Sequence, residues 1–508
     1  MYDAVVIGAG NGGLVAAVTL AKRGVKTLLL EQHNLPGGFA SSFIRGRFEF
    51  EPALHEPADI GAPDNPGSLG LLFQELELDV EWAEVHEAYR LITTDDVKGN
   101  LDITMPFGID AFIEHLERLV PGSRPTVSAF MDLSKQVLDG LAYLSDSKGN
   151  PDKSVLMKDH ANFLKTAPYS VEDVQKKLKI PEKAVRILNA YWCYLGIPIS
   201  KTNFTVFAAM LYKYIDKGVF IPKMRSHEIS SALLSKFYEY GGEAWFNTRV
   251  HKICVSDGKV TGVTTDRGEV SVDQVVANVP PHVAYSTMIE PSSQAPEIEL
   301  RAADARKPGT QGFVLYLGLN KSAEELGLKE YSYFIFPSMD TNALYGSCGD
   351  IRNNNVQATV CLNNAVPDCS PPGTCIMSFT TVYTHGAWAD VTPETYHETK
   401  NRIADGMIDY FEASTGIKIR DSIEEISIAG PPTFSRYAAA YNGSIYGYDT
   451  VSWDSLLPRL MMINEDYRIK GLRFCGGFAF RVHGYSSAYM SGQTMGLLAW
   501  KELQEARA

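Results

Sequence analysis

Three glycines and one carboxylate near the start of the chain have the spacing that holds a dinucleotide. The stretch VVIGAGNGGLVAA places Gly8, Gly10 and Gly13 between an apolar strand predicted over residues 4–7 and an Ala- and Leu-rich helix. In such a unit the first glycine permits a tight turn, the second lets backbone approach a pyrophosphate, and the third lets the helix pack on the sheet. Glu31 follows a second apolar strand, where a carboxylate accepts the hydroxyls of an adenosine ribose and disfavours a 2′-phosphate. The pattern therefore predicts a dinucleotide site.

Two other interpretations of this stretch are weaker. A glycine pattern alone describes only a strand-to-helix turn, but here the strand, the helix and the acid are all present. A secretory leader needs a cationic start before its apolar run, whereas this chain has its first basic residue at Lys22. We therefore expect a nucleotide site and no leader in this stretch.

Bulk properties limit what the rest of the chain can do. Its 508 residues exceed one ordinary core, so two interleaved domains are expected. A net charge of −13, with no run of Lys and Arg, argues against a nucleic-acid partner. The seven cysteines are odd in number and form no C-x-x-C motif, which predicts reduced thiols, a cytoplasmic location and no metal site. The sequence lacks a run of about 18 apolar residues, so a spanning helix is not expected, while peripheral membrane contact stays open.

The segments between the glycine motifs predict a second, mixed domain. From about residue 60 to 220 the hydrophobic pattern is helical, for example over 126–144 and 185–195, and residues 300–425 contain several strand-like runs. Aromatic residues crowd the end of the helical part, and for each ring we favour ordinary core over the wall of a substrate tunnel. These rings are Tyr191, Trp192, Tyr194, Phe204, Phe207, Tyr212, Tyr214 and Phe220.

Several segments, in order along nearly the whole chain, resemble the flavin-dependent phytoene desaturase family, which includes carotenoid cis–trans isomerases and retinol saturases. They are the first glycine unit, Gly37-Gly38, NTRVHKICVSDGKVTGVTTDRGE at 247–269, PPTFSRYAAAYNGSIYGY at 431–448 and GLRFCGGFAFRVHGYSSAYMSGQTMG at 471–496. Within the family, FEFEPALHE at 48–56 is most similar to the retinol saturase pattern.

The resemblance implies an α/β fold, in which a glutathione-reductase-type, Rossmann-like FAD-binding domain is interleaved with an α+β substrate domain. The FAD-binding domain would comprise residues 1–60, 221–300 and 426–508, and the substrate domain 61–220 and 301–425. By matching position, Gly8, Gly10 and Gly13 would hold the pyrophosphate of FAD and Glu31 its ribose. The other implied contacts are Gly37 and Gly38 at the isoalloxazine, Val250 at the adenine, Gly476 and Gly477 along the ribityl chain, and Ala488 near a helix end at the pyrimidine edge.

The chain departs from the family pattern at three places. Gly477 stands where the family often has an acid, Met224-Arg225 replaces a glycine pair, and Glu51-Pro52-Ala53 replaces an Asp-x-Gly. These differences leave the implied fold intact and concern the ribityl contact and the substrate.

Three side chains are candidates for catalysis beside the flavin. We expect His55 to act as an acid or base because histidine titrates near neutrality, although a hydrogen-bonded structural histidine fits the sequence equally well. Arg481 and His483 lie between the second glycine pair and the last helix, so they could reach the flavin or a substrate head group, or only fix the turn. Glu56 could merely set the tautomer of its neighbour.

The implied activity is oxidoreduction of carbon–carbon double bonds in a hydrophobic polyene, isoprenoid or lipid-like substrate, by desaturation, saturation or isomerisation. FAD exchanges hydride with such a substrate, and an electron donor or acceptor would be NAD(P)H, a quinone or a reductase. Two alternatives share the fold: another flavoenzyme, such as an amine oxidase or ketosteroid dehydrogenase, and a prenyl-binding escort without flavin chemistry.

Overall fold

A five-stranded parallel sheet forms the centre of the nucleotide-binding unit in this computed structural model, which describes residues 2–95, 97–147, 151–461 and 469–507. All neighbouring strands are parallel, and the three central ones are buried on both faces, as is usual for parallel sheets. The strands in spatial order are Glu243–Trp245, Thr27–Leu30, Ala4–Ile7, Val275–Ala277 and Leu472–Phe474.

Two helices pack closely on this sheet. The first helix, Asn11–Ala21, contacts the last helix, Tyr485–Arg507, along most of its length. A Cβ at Gly492 would clash with the carbonyl of Gly12, so glycine is what lets the two backbones approach. Helix Ser226–Glu239 covers the other side of the first helix. The start of the first helix is thereby fixed at the carboxyl edge of the sheet.

A seven-stranded mixed sheet forms the second layer system. Helix Pro393–Thr415 covers one face, where Phe411 packs on Phe379. The other face packs on helical residues such as Phe204 and Phe207. The strands in spatial order are Ile423–Ala429, Gln311–Leu319, Cys375–Tyr383, Gln357–Cys361, Ser332–Phe336, Glu87–Thr93 and Leu101–Pro106.

The remaining elements connect these two sheets. A four-stranded sheet contains Gly268–Ser271, Lys259–Thr265, Val250–Ser256 and Ile289–Glu290. The other helices of six residues or more are Ser68–Glu75, Ile109–Leu119, Arg124–Asp146, Lys153–Asp159, Ala161–Thr166, Val171–Leu178, Glu182–Leu188, Phe204–Lys217, Glu297–Ala305, Thr341–Ser347, Pro431–Ala438 and Leu456–Met461. Within the described ranges, none of the helices combines the length and apolarity needed to cross a bilayer.

The predicted domain bounds remain a prediction. The parallel strands lie in the segments assigned to FAD binding, whereas helix Ser68–Glu75, from a segment assigned to the substrate domain, packs on the core around the first helix. All seven cysteines are free.

Candidate active site

One cavity of about 1690 Å³ extends from the glycine motifs to the second sheet. A pocket for a single drug-sized ligand has roughly 300–1,000 Å³, so this cavity has room for a dinucleotide and a second molecule together. Its walls include every residue that the sequence assigned to the cofactor or to catalysis except Gly13.

The glycine turn at the start of the first helix forms a close backbone cradle. Gly8 has a φ of +90°, which favours glycine, and a Cβ at Gly13 would clash with the carbonyl of Gly8. A Cβ at Gly10 would lie 2.6 Å from Nδ2 of Asn278. Because side chains are excluded there, the free amides at the helix start can face an anion directly.

Glu31 is held at the end of the second parallel strand by two backbone amides. Ala9 N donates to Oε2 at 2.6 Å, and His33 N donates to Oε1 at 2.8 Å. Each carboxylate oxygen retains capacity to accept a further hydrogen bond. The carboxylate is therefore oriented for two hydroxyl donors, as the ribose prediction requires.

A second glycine turn closes the cradle from the opposite side. Gly476 follows the strand Leu472–Phe474, and its amide donates to Oγ of Ser491 in the last helix at 2.8 Å. A Cβ at Gly476 would clash with Asn278 Oδ1, so Asn278 fills the space between both glycine turns. Asn278 was not among the residues predicted from the sequence, although its position directly after a central parallel strand is typical of ligand-binding residues.

The other predicted cofactor residues lie along the same wall. Gly37 N donates to the carbonyl of Ala9 at 2.7 Å, which brings the Gly37-Gly38 turn against the first one. Val250, at the start of its strand, and Gly477 also border the cavity. The amide of Ala488 already donates to the carbonyl of Gly484 at 2.9 Å, so the free amides of this helix end belong to the preceding residues.

These residues fit FAD. The cradle excludes side chains where a pyrophosphate would lie, and Glu31 offers acceptors where a ribose would lie. Asn11 Oδ1, in the first turn of the first helix, is buried and has no hydrogen-bond partner in the described part of the chain. An orphaned acceptor beside the cradle matches a hydroxyl-rich cofactor.

The other half of the cavity has an apolar wall, with charged side chains such as Lys135, Asp139 and Asp216 also on its lining. The apolar wall includes Leu138, Leu195, Val206, Met210, Val356 and Ile445. Such a wall suits a long hydrophobic molecule.

The aromatic residues of the helical region divide into two groups. Five rings belong to the core: Tyr191, Trp192, Phe204, Phe207 and Phe220. Tyr194, Tyr212 and Tyr214 instead border the cavity. Residues 185–195 were expected to form one helix, but Glu182–Leu188 is followed by a 3₁₀ turn over Ala190–Tyr194 that turns Tyr194 toward the cavity.

His55 lies on the cavity wall beside the second sheet. Its Nε2 is 2.7 Å from Thr380 Oγ1, and its ring meets that of Tyr194 edge to face at 5.9 Å. Burial lowers the pKa of His55 to about 4. The expectation that His55 titrates near neutrality is therefore wrong, because desolvation disfavours the imidazolium. A neutral imidazole can still accept a proton or orient a neighbour.

Arg481 and His483 also border the cavity. Arg481 Nη2 donates to Ser145 Oγ at 3.0 Å, and among the described residues no carboxylate lies within 4.0 Å of its guanidinium. Burial lowers the pKa of Arg481. Burial and the nearby Arg459 lower the pKa of His483 to about 4, and its ring lies 4.8 Å from that of Tyr446. Among the described residues, Arg481 is thus a cation on the cavity wall without a carboxylate partner.

Glu56, for which the sequence predicted no more than an effect on the tautomer of its neighbour His55, is a buried acid in the apolar half of the cavity. It is 5% exposed, and its Oε1 accepts a hydrogen bond from Tyr194 at 3.1 Å. Burial raises the pKa of Glu56 to about 8. The contact joins residues 138 positions apart, so no local pattern could have found it.

Comparisons with known proteins agree with this geometry. A sequence model of the family described as flavin containing amine oxidoreductase matches residues 12–492. All-trans-retinol 13,14-reductase from Danio rerio is 25% identical over 477 residues, covering 88% of this chain and 77% of that protein. The 1-hydroxycarotenoid 3,4-desaturase of Flavobacterium sp. is 22% identical over 453 residues, covering 88% and 89%.

A solved structure shows the same fold. An oxidoreductase from Methanosarcina mazei superposes with a TM-score of 0.63 at 19% identity, covering 98% of this chain and all of that one. Together with the family match, this likeness confirms the predicted fold class.

Proposed function

Because this chain belongs to the family of flavin-containing amine oxidoreductases, it is an FAD-dependent oxidoreductase, and we propose that it acts on carbon–carbon double bonds of a hydrophobic polyene. The observation that carries the proposal is the apolar half of the cavity, which adjoins the dinucleotide cradle. The relatives named for a retinol reduction and a carotenoid desaturation support the same substrate class.

The proposed work of the protein is to bind, orient and shield. When bound, FAD supplies the transfer of a hydride to or from carbon. Gly8, Gly10 and Gly13 would fix its pyrophosphate through backbone, and Glu31 its ribose. Ser486, in the first turn of the last helix, donates to the carbonyl of Ala58 at 2.6 Å and so ties the cofactor side to the loop carrying His55 and Glu56. The apolar wall would exclude water from the reacting carbons.

We assign the remaining predicted residues as follows. Gly37, Gly38, Gly476, Gly477 and Val250 would line the cofactor, with Ala488 behind the amides that face it. His55 would orient the substrate or its proton donor, and Arg481 and His483 would face the distal end of the substrate. We propose further that NAD(P)H, a quinone or a reductase exchanges electrons with the flavin, and that the protein makes peripheral contact with a membrane.

Amine oxidation is the second candidate. Glu56 lies among tyrosine rings, and an acidic side chain that ionises within an aromatic enclosure as an ammonium group binds is an arrangement that recognises amines. A non-catalytic escort is not proposed, because the family is one of oxidoreductases.

Mass analysis of the products tests the proposal. The FAD-loaded protein, oxidised or reduced under anaerobic conditions, is incubated with retinoids, carotenoids and primary amines. A polyene product two hydrogens heavier, two lighter or isomerised at equal mass supports the proposal and distinguishes the three reactions. Oxidation of amines with inert polyenes would overturn it.

A further inference from the structure

Glu56 is a buried carboxyl group that lacks a cationic partner in the described part of the chain. It borders the cavity in the loop after strand Phe48–Phe50. Its Oε1 accepts a hydrogen bond from the Tyr194 hydroxyl at 3.1 Å, whereas Oε2 is buried and has no hydrogen-bond partner among the residues that the structure describes. No Lys, Arg or His in the described ranges forms an ion pair with it at 4.0 Å or less. A carboxylate would be poorly compensated at this position.

The surroundings of Glu56 are aromatic. The rings of Tyr191 and Tyr214 stack at 4.9 Å, and those of Tyr194 and Tyr214 lie 5.8 Å apart. The Tyr214 hydroxyl donates to the backbone carbonyl of Glu56 at 3.2 Å and therefore leaves the carboxyl group unaffected. Desolvation, and to a lesser degree the nearby Glu87, raise the pKa of Glu56 to about 8, against the opposing Tyr194 hydrogen bond. At neutral pH the group holds a proton.

The titratable neighbours do not offer a proton at neutral pH as readily. Burial lowers the pKa values of His55 and His483 to about 4, so both imidazoles are neutral. Burial also raises the pKa of the Cys193 thiol and those of the surrounding tyrosines. These neighbours are Tyr191, Tyr194, Tyr214, Tyr331, Cys193, Glu87 and His55. Glu87 also has a raised pKa but does not border the cavity.

We propose that the Glu56 carboxyl group donates the proton that accompanies hydride addition to a polyene double bond, so that the favoured reaction at neutral pH is saturation. The inference rests on the proposed function. One carbon of the double bond receives a hydride from two-electron-reduced FAD, and the other carbon forms its new C–H bond with the Glu56 proton through the former π electrons. The substrate gains two electrons and the flavin loses two, while the Glu56 carboxylate recovers a proton from water.

Tyr194 is a positioning residue in this proposal. Its hydroxyl occupies Oε1, which leaves Oε2 as the oxygen that carries the proton. The same neutral carboxyl group disfavours desaturation, because removal of a substrate proton would require the carboxylate as the acceptor.

The test compares Glu56→Gln with Glu87→Gln, a matched change at a partly buried acid that does not border the cavity. The FAD-loaded proteins are reduced with dithionite and mixed anaerobically with all-trans-retinol across a pH series. We expect the wild-type rate of flavin reoxidation to fall tenfold per pH unit above about 8. The rate of Glu56→Gln should be at least roughly a hundredfold below the wild-type rate at neutral pH and should not show this decrease at high pH. Glu87→Gln should retain the wild-type rate at pH 6.5.

Infrared spectroscopy gives a readout without turnover. The infrared spectrum of the oxidised, FAD-loaded wild type minus that of Glu56→Gln should show a protonated carboxyl stretch at pH 6.5 that disappears by pH 10. The subtraction is needed because burial also raises the pKa values of Glu51 and Asp449 to about 7, and both groups are present in the two proteins. Tyr194→Phe, which keeps the carboxyl group, should shift this band and should slow flavin reoxidation less than Glu56→Gln does. If Glu56→Gln fails to retain FAD, Tyr194→Phe provides the test in its place.

The outcomes distinguish a failure of the proposed function from a failure of the role assigned to Glu56. If wild-type reduced flavin is inert toward retinol and every other polyene, the proposed function fails and this inference with it. If the wild type reduces a polyene but Glu56→Gln matches its rate and pH profile, or if the infrared difference spectrum lacks the protonated carboxyl band, only the role of Glu56 is overturned.

Discussion

Replacing Glu56 by glutamine should change the pH dependence of stability in a defined direction. Burial raises the pKa of Glu56 from the usual 4.5 to about 8, so between these values the folded protein holds a proton that the unfolded chain has released. The stabilisation from that proton is complete below pH 4.5 and is lost as pH rises through 8. At about 1.4 kcal/mol per pH unit, the loss amounts to at most about 5 kcal/mol.

The glutamine variant lacks this loss because its side chain does not ionise and still accepts from Tyr194. An unfolding entropy of about 2.1 cal/mol/K per residue gives roughly 1 kcal/mol/K for this chain, so 5 kcal/mol corresponds to about 5 °C. We expect the Tm of Glu56→Gln, relative to wild type, to be up to about 5 °C higher at pH 9 than at pH 5.

The assay is thermal unfolding followed by flavin fluorescence, at one fixed FAD concentration. Glu505→Gln is the control, since its side chain is 66% exposed and should give the same Tm difference at both pH values. An equal Tm difference for Glu56→Gln at pH 5 and pH 9, or a smaller one at pH 9, would refute the reasoning.

Three further substitutions test other parts of the site. Gly10→Ala places a methyl group 2.6 Å from Asn278 Nδ2, so the absorbance ratio of bound FAD to protein should fall at least roughly tenfold, whereas Gly406→Ala, whose Cβ meets open space, should retain FAD. His55→Ala should slow turnover with FAD still bound, and the pH-rate profile of the wild type should show no change in slope near pH 6.5. An unchanged kcat in His55→Ala would remove His55 from the catalytic residues. Arg481→Gln should raise KM roughly tenfold for a polyene carboxylic acid but not for the alcohol, and an unchanged KM ratio would contradict a head-group role.

Local sequence patterns predicted the cofactor side well. The strand Ala4–Ile7, the glycine turn and Glu31 follow from apolar runs and residue spacings within about thirty positions, and backbone geometry at a parallel sheet leaves few alternatives. A long last helix was likewise expected over 486–503, from its many small residues, and it extends over Tyr485–Arg507.

The substrate side depends on contacts that no local pattern encodes. His55 meets Thr380 across 325 positions, and Glu56 meets Tyr194 across 138. Their pKa shifts arise from burial that only the assembled cavity produces, which is why the neutral titration expected for His55 was wrong. Tyr194 faces the cavity from a 3₁₀ turn after Leu188, whereas periodicity over 185–195 indicated one continuous helix.

The most direct test of the central claim is a single anaerobic turnover of the reduced, FAD-loaded protein with a polyene. We predict that the flavin absorbance returns to the oxidised form as one equivalent of polyene gains two hydrogens, one of them from solvent. Protein that retains no flavin, or reduced flavin that stays reduced with every polyene while the oxidised form consumes an amine, would contradict the account.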